Sequence, residues 1–382
     1  MSNAEAGTRS PEVERPYGVA VVGCGIGQAH AAAYRALSDK YELRVICDVD
    51  AARAEKLARG DASYGLYPVA GGKKVEHRAP DVLTDFAALC QRDDVDIVDL
   101  CTPPHMHFAQ CRQALAAGRH VICEKPLVGS LKEVDGLAAA EEKSGKHLMP
   151  IFQYRFGHGL QKLRYLVSSG LAGKAYLATV ETHWRRRADY YSVPWRGNWK
   201  TELGGCLLGH AIHAHDGFCY VAGAVKSVFA RIATRVNPVE TEDCASVSLE
   251  MADGSLASLS VTLGSQDEIS RLRFCFANLV AESNTKPYGN STDPWRFIGD
   301  TPDLQKQIDE ALARFVPQPE GYEGQFTRFH AALVSGTRPP VTVADSRSAL
   351  ELITAMYHSA ATGKPVKLPI TKRHPRYECW AP

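Results

Sequence analysis

The chain has 382 residues, more than one ordinary core of about 100–200 residues accommodates, so two domains are expected. An apolar share of 45% and a charged share of 23% exclude both a globally disordered chain and a small disulfide scaffold. Forty-four basic against 43 acidic side chains leave a formal charge of +1, which excludes a net field drawing the whole surface to nucleic acid or to an anionic membrane.

Eleven cysteines lie scattered among apolar neighbours without CxxC spacing, as reduced, buried thiols of a cytoplasmic protein do. Apolar runs such as 17–23 fall far short of the ~20 residues a spanning helix needs, so a soluble chain is expected. Residues 1–14, MSNAEAGTRSPEVE, are polar and aperiodic and read as a flexible arm.

Folding signals begin at 17–22, YGVAVV, a β-branched apolar run that stops at Gly23-Cys24-Gly25-Ile26-Gly27 before the helical stretch AHAAAYRAL. Strand, glycine turn and helix N-terminus form a pyrophosphate cradle, although GCGIG has one residue fewer between its second and third glycines than GxGxxG. A second strand, ELRVIC (42–47), ends at Asp48, where an acid suits the adenosine ribose of NAD and repels the extra phosphate of NADP. Asp48 or Asp50 also suits the cap of the helix DAARAEKLAR. The glycine-rich YGLYPVAGGKK reads as a surface loop, VDIVDLCTPP (95–104) as a third strand, HFAQCRQALAAG as a helix closed by Gly118, and HVICEKP (120–126) as a fourth strand. Alternating strands and helices predict a doubly wound parallel sheet with its ligand at the carboxyl ends of the strands. GCGIG, CTPPHMH and CEKP all fall at such ends.

From the glycine turn through CTPPHMHFAQCRQALAAGRHVICEKPL, the chain closely resembles the glucose-fructose oxidoreductase, inositol dehydrogenase and rhizopine-catabolism (Gfo/Idh/MocA) family. The likeness continues through FQYRF (152–156), LGGCLLGHAIHAHD (203–216) and the terminal stretch PPVTVADSRSALELITAMYHSAATGKPVKLP. It implies an α/β protein with an N-terminal Rossmann domain at 15–149. At 150–382 it implies a substrate-binding and oligomerisation domain with a large, mostly antiparallel, open-faced sheet. KAYLATVETHW, KSVFARIATRV, DCASVSLEM and GSLASLSVTLG have strand-like composition, and MADGS is a hairpin signal. A homodimer or homotetramer through that sheet follows by analogy.

The resemblance further implies an NAD(P)-dependent oxidoreductase moving a hydride between nicotinamide and a secondary hydroxyl of a sugar, cyclitol or related polyol, with NAD preferred because of Asp48. On the cofactor side stand Gly23, Gly25, Ile26, Gly27, Asp48, Thr102, Pro103, His107, Glu124, Lys125 and Gln153. Lys125 and His213 are the expected catalytic pair, and Arg155, His183, Arg185, Trp199, His210 and His213 the substrate contacts. The family pattern usually carries a catalytic aspartate four residues before the histidine, where this chain has Gly209. Three outcomes follow: Lys125 and His213 suffice, His210 substitutes, or the redox chemistry is altered or lost. His210 and His213 share a helical face, but no HExxH or Cys/His pairing supplies a third ligand, so no metal is assigned. Tyr190, Tyr191, Trp195, Arg196 and Trp199 form an aromatic and cationic set suited to pyranose rings, and the run 185–187 to an acidic sugar. Two alternatives remain: a redox-assisted glycoside-cleaving enzyme with tightly bound NAD, and a catalytically impaired nucleotide-binding sensor.

Overall fold

The computed structural model describes residues 15–61 and 79–381. The predicted arm at 1–14 and the predicted loop YGLYPVAGGKK lie outside the described residues.

The first sheet contains β1 (Tyr17–Val22), β2 (Tyr41–Cys47), β3 (Asp81–Leu83), β4 (Ile97–Leu100), β5 (His120–Cys123) and β6 (Leu148–Pro150). Their order is β3-β2-β1-β4-β5-β6, with every pair parallel. Helices α1 (Gly27–Ala36), α2 (Ala51–Ala58), α3 (Phe86–Cys90), α4 (His107–Ala116) and α5 (Leu131–Ser144) make the crossovers. This strand order reverses direction between β1 and β4, and in such sheets the ligand crevice lies at that point, beyond the carboxyl ends of the strands. Val19, Ala20, Val21, Ile97 and Val98 are fully buried, as strands covered on both faces require. Gly118 lies just beyond α4 with φ +74°, the left-handed conformation expected where that helix stops.

After α6 (His158–Ser168) the chain builds a second sheet from β7 (Ala175–Arg185), β8 (Val225–Ala233), β9 (Cys244–Met251), β10 (Leu256–Thr262), β11 (Gly264–Phe276), β12 (Leu279–Glu282), β13 (Arg296–Gly299) and β14 (Val366–Lys367). The order is β13-β12-β11-β7-β10-β9-β8-β14, and β7–β10 is its parallel pair among otherwise antiparallel neighbours. Helix α7 (Ile212–Ala222) packs on β7, and α10 (Val343–Thr362) on β8. The opposite face is polar: Arg271 pairs with Glu181 at 2.7 Å and Arg273 with Glu282 at 2.8 Å, and only scattered apolar side chains, among them Leu177 and Leu256, are exposed on the sheet.

Between these sheets the chain returns to where it began. After α8 (Pro302–Ala313), α9 (Gly321–Ser335) packs on α1, and the Tyr41 hydroxyl donates to the Phe326 carbonyl at 2.7 Å. Residues far apart in sequence therefore meet beneath the glycine turn. No helix among the described residues is long and apolar enough to cross a membrane.

Candidate active site

The three glycines of the turn have different jobs. Gly23 has φ +95°, and a Cβ there would stand 2.7 Å from the Cys101 carbonyl oxygen. A Cβ on Gly27 would stand 2.9 Å from the Val21 side chain, so this glycine lets α1 lie close on β1. Among the described residues, nothing lies within 4 Å of the Cβ position of Gly25, which leaves its backbone open to close approach. Helix α1 starts without a side-chain cap and without an acidic residue in its first turn; the Gln28 and Ala29 N–H groups donate back to the Gly25 and Ile26 carbonyls, and the dipole at this end favours an anion. These features fit a dinucleotide pyrophosphate, and the shortened spacing does not remove any of the three roles.

Asp48 is buried at the end of β2. One carboxylate oxygen accepts the Cys24 N–H at 2.7 Å and the other the Asp50 N–H at 3.0 Å. The helix cap is instead Asp50, whose side chain accepts the Arg53 N–H. Asp48 therefore ties the glycine turn to the end of β2, and the Arg53 guanidinium stands 3.8 Å from it.

Beneath the turn lies a paired polar core that sequence reading missed. His30 Nδ1 lies 2.8 Å from Asp99 and its Nε2 3.1 Å from Glu124; Asp99 also accepts the Tyr34 hydroxyl at 2.7 Å, and Glu124 the Tyr322 hydroxyl at 3.0 Å. Burial opposes the charge on His30, but Asp99 outweighs it and holds the imidazolium proton well above the usual range. Burial alone would raise Glu124, but the hydrogen bond and charge of His30 hold it down to about 2. The Cys101 thiol, 3.4 Å from His30, completes a His30, Asp99 and Cys101 group whose potential ligand atoms lie within 4.8 Å of one another. These atoms are already engaged with one another, which accounts for the cluster without an ion. The other oxygen of Glu124 accepts the Lys125 N–H at 3.0 Å, so this core sets the backbone that presents Lys125.

The Lys125 side chain crosses to the second domain, where Nζ donates to the Gly209 carbonyl at 3.0 Å. Gly209 belongs to a five-residue π-turn, Cys206–His210, that leads into α7. Glu242 shapes that turn: its carboxylate accepts the Gly205 and Leu207 N–H groups, each at 3.0 Å, and the Tyr357 hydroxyl at 3.0 Å. A Cβ on Gly205 would lie 1.9 Å from the Glu242 carbonyl oxygen, so only glycine fits there. Burial lowers the proton affinity of Lys125, and the nearby Glu124 partly opposes it.

His213, one turn further along, stacks on Tyr154 with centroids 4.5 Å apart. Burial, then the Lys125 charge, lower its pKa to about 3, so its ring is neutral, and its buried Nδ1 has no hydrogen-bond partner among the described residues. His210 is buried between Trp184 and Tyr190, and neither ring nitrogen has a hydrogen-bond partner among the described residues. Burial drives its proton affinity well down, reinforced by Arg186, Lys125 and Arg196. The Arg196 guanidinium lies 3.7 Å over the Tyr190 ring, so part of the expected aromatic and cationic set does gather at His210.

Several expected contacts lie elsewhere. Arg155 is locked bidentate onto Asp216, at 2.8 and 2.6 Å, and onto Asp345 at 2.9 Å, which ties α7 to the start of α10. His183 and Arg185 lie on the outer face of β7, where His183 meets Ser260 at 2.9 Å; side chains alternate along a strand, so Trp184 faces inward in their stead. Arg186, just beyond the strand, also turns inward over Trp184, and pairs with Glu268 at 2.9 Å. Trp199 donates to the Glu240 carbonyl at 3.1 Å and packs edge-on against Tyr357, an anchoring role. His107 is buried within hydrogen-bond distance of the Pro126 and Thr102 carbonyls and fastens the loops after β4 and β5 from behind. Thr102 donates to Gln110 at 2.6 Å, and Pro103 precedes the short turn Pro104–Met106. Gln153 follows β6, and its buried Oε1 has no partner among the described residues, an acceptor left available to a ligand.

Fold and site together define a two-domain nucleotide-binding oxidoreductase. Two family models match the chain: the Gfo/Idh/MocA oxidoreductase family, NAD-binding Rossmann fold, at residues 17–152, and the Gfo/Idh/MocA C-terminal domain at residues 160–277. The chain belongs to this family and is an NAD-binding dehydrogenase. It is 27% identical over 380 residues to D-glucoside 3-dehydrogenase of Escherichia coli (strain K12), covering 94% of this chain and 100% of the relative. Its structure superposes with a TM-score of 0.78 on the WlbA dehydrogenase from Bordetella pertussis in complex with NADH and UDP-GlcNAcA, at 25% identity over 94% of this chain and 100% of the other. A levoglucosan dehydrogenase in complex with NADH and levoglucosan shares the fold with a TM-score of 0.75 at 21% identity, covering 93% and 100% of the two chains.

Proposed function

We propose that this protein oxidises a secondary hydroxyl of a sugar, cyclitol or related polyol with NAD as the hydride acceptor. The observation that carries this reading is the contact between Lys125 Nζ and the Gly209 carbonyl, which brings the lysine of the first domain onto the turn that leads to His213. Bound NAD supplies the hydride-accepting ring. Gly23, Gly25 and Gly27 would hold its pyrophosphate, Asp48 its adenosine ribose and Gln153 its nicotinamide side. Lys125, its proton affinity lowered by burial, takes the hydroxyl proton, and the neutral His213 hydrogen-bonds the same oxygen and orients it. Tyr190, Arg196 and His210 line the side suited to a hydroxylated ring. The names of the D-glucoside and UDP-GlcNAcA relatives support a sugar substrate. The Asp48 charge supports NAD over NADP. A cytoplasmic homo-oligomer associating through the outer face of the second sheet, where Leu177 and Leu256 are paired and exposed, completes the proposal.

The test is NADH formation across a panel of sugars, uronic acids and cyclitols, with calorimetric NAD binding measured in parallel. Lys125→Met is expected to lower kcat by about 10²–10⁴-fold while NAD affinity stays within about twofold. A panel without NADH formation, or full turnover by the variant, overturns the reading.

A further inference from the structure

Gly209 is approached by two groups from different parts of the chain. Lys125 Nζ donates to its carbonyl at 3.0 Å, and an ideal Cβ on Gly209 would have one neighbour within 4 Å, Glu202 Oε1 at 3.7 Å. Glu202 is 4% exposed. Its Oε2 accepts the Gly197 N–H, whereas Oε1 has no hydrogen bond among the described residues. A buried carboxylate with one oxygen tied and the other turned toward the lysine's own anchor point is an expensive arrangement unless its charge is used.

The backbone around it is held in place. Leu203 has φ +70°, a left-handed conformation that a leucine rarely adopts and that concentrates at functional sites. Its carbonyl accepts the Trp380 indole N–H at 2.7 Å, and the Glu202 N–H donates to the Asn198 carbonyl at 3.2 Å. The charge balance points the same way. Lys125, Arg186 and Arg196 all bear on His210, and Glu202 carries the opposite charge among them.

We infer that Glu202 is a positioning residue whose carboxylate is a second counter-charge of Lys125, after Glu124, supplied across the chain to the place where residue 209 has no side chain. This inference rests on the proposed dehydrogenase reading for its catalytic meaning, but its electrostatic content belongs to the unloaded protein. Burial raises the proton affinity of Glu202, the Gly197 N–H, Arg196 and Lys125 oppose it, and Tyr191 packs nearby. Lys125 in turn faces Glu124, Arg196, Glu202 and Arg186, with the rings of His210 and His213 beside it.

The experiment titrates Lys125 in the full-length protein without cofactor, by the pH dependence of its acetylation with acetic anhydride read by mass spectrometry. Glu202→Gln keeps an acceptor for Gly197 and removes the charge, so Lys125 is expected to lose its proton about one pH unit lower. Gly209→Asp in the Glu202→Gln background restores the titration, since the Cβ position at 209 is open. Gly209→Asp alone shifts it upward. With cofactor and a turned-over substrate, Glu202→Gln moves the acidic limb of the kcat profile in the same direction, with KM changed less than kcat. A Lys125 titration that is unmoved in Glu202→Gln and in Gly209→Asp overturns the inference. A wild-type chain that reduces no NAD overturns the dehydrogenase reading instead and leaves the titration result standing.

Discussion

Two groups of buried histidines stand on either side of the cleft and solve the same problem in opposite ways. His30 has both ring nitrogens within hydrogen-bond distance of carboxylates, Asp99 and Glu124, and its charge is stabilised. Among the described residues, His210 and His215 have neither nitrogen paired, and His213 lacks a partner for its buried Nδ1. Burial holds His213 and His215 at about 3, so these rings stay neutral. The difference separates support from site. A satisfied polar network rigidifies the first domain and fixes the backbone of Lys125, while His210 and His213 stand buried and neutral beside the Lys125 charge.

The strongest way to break this contrast is His30→Gln, which leaves Asp99 and Glu124 facing each other without the imidazolium. The expected loss is about 3–5 kcal/mol in denaturant unfolding near pH 6. Because the folded pKa of His30 is raised above 6.5, its contribution is fully present below 6.5 and is lost as pH rises through the folded value. The cost of the substitution should therefore shrink at alkaline pH; a cost that does not change with pH assigns His30 a packing role alone.

His215→Leu sharpens the other half. The folded ring takes a proton only at about 3 against 6.5 unfolded, so the unfolded chain binds more protons between those values and stability falls as pH drops through that window. Replacing His215 should recover about 2 kcal/mol at pH 5 and leave the acid slope of Tm shallower. An unchanged slope refutes a neutral buried ring at 215.

The smallest effect is expected at Asp48, a paired carboxylate at the edge of the cleft. Asp48→Asn keeps an acceptor for the Cys24 N–H and removes the charge, so the NADP-to-NAD affinity ratio should rise about tenfold, near 1.4 kcal/mol, in equilibrium binding. A ratio that stays put confines Asp48 to holding the turn.

Much of the first sheet was legible because its signals are local. The apolar runs, the glycine turn and Asp48 follow one another within a single strand-turn-helix-strand unit, and the backbone physics of each is short-range. The places of Lys125 after β5 and of His213 on α7 were legible through motifs in order along the chain, while their roles belong to the proposal. The inward set on β7 was not. His183 and Arg185 looked suitable, but strand alternation gives the inner face to Trp184 and the end of the strand lets Arg186 turn in. His30 sat unremarked in the helical stretch AHAAAYRAL; an aspartate, Asp99, inside the otherwise apolar strand IVDL (97–100) was the signal that a buried partner was needed. Glu202 gave no signal, because its meaning depends on a glycine seven positions later and a lysine in another domain.

By itself the sequence determined the order of strands and helices in the first sheet, the glycine turn between β1 and α1 and the places of Lys125 and His213 in the chain, since periodicity, turn geometry and residue type act over a few residues. Only the tertiary structure decided which histidines are paired, which face of β7 turns inward and which carboxylate lies against the open Cβ position of Gly209. Burial and charge proximity are properties of segments brought together from distant parts of the chain, and those distances decide whether a polar side chain is a strut or a working group.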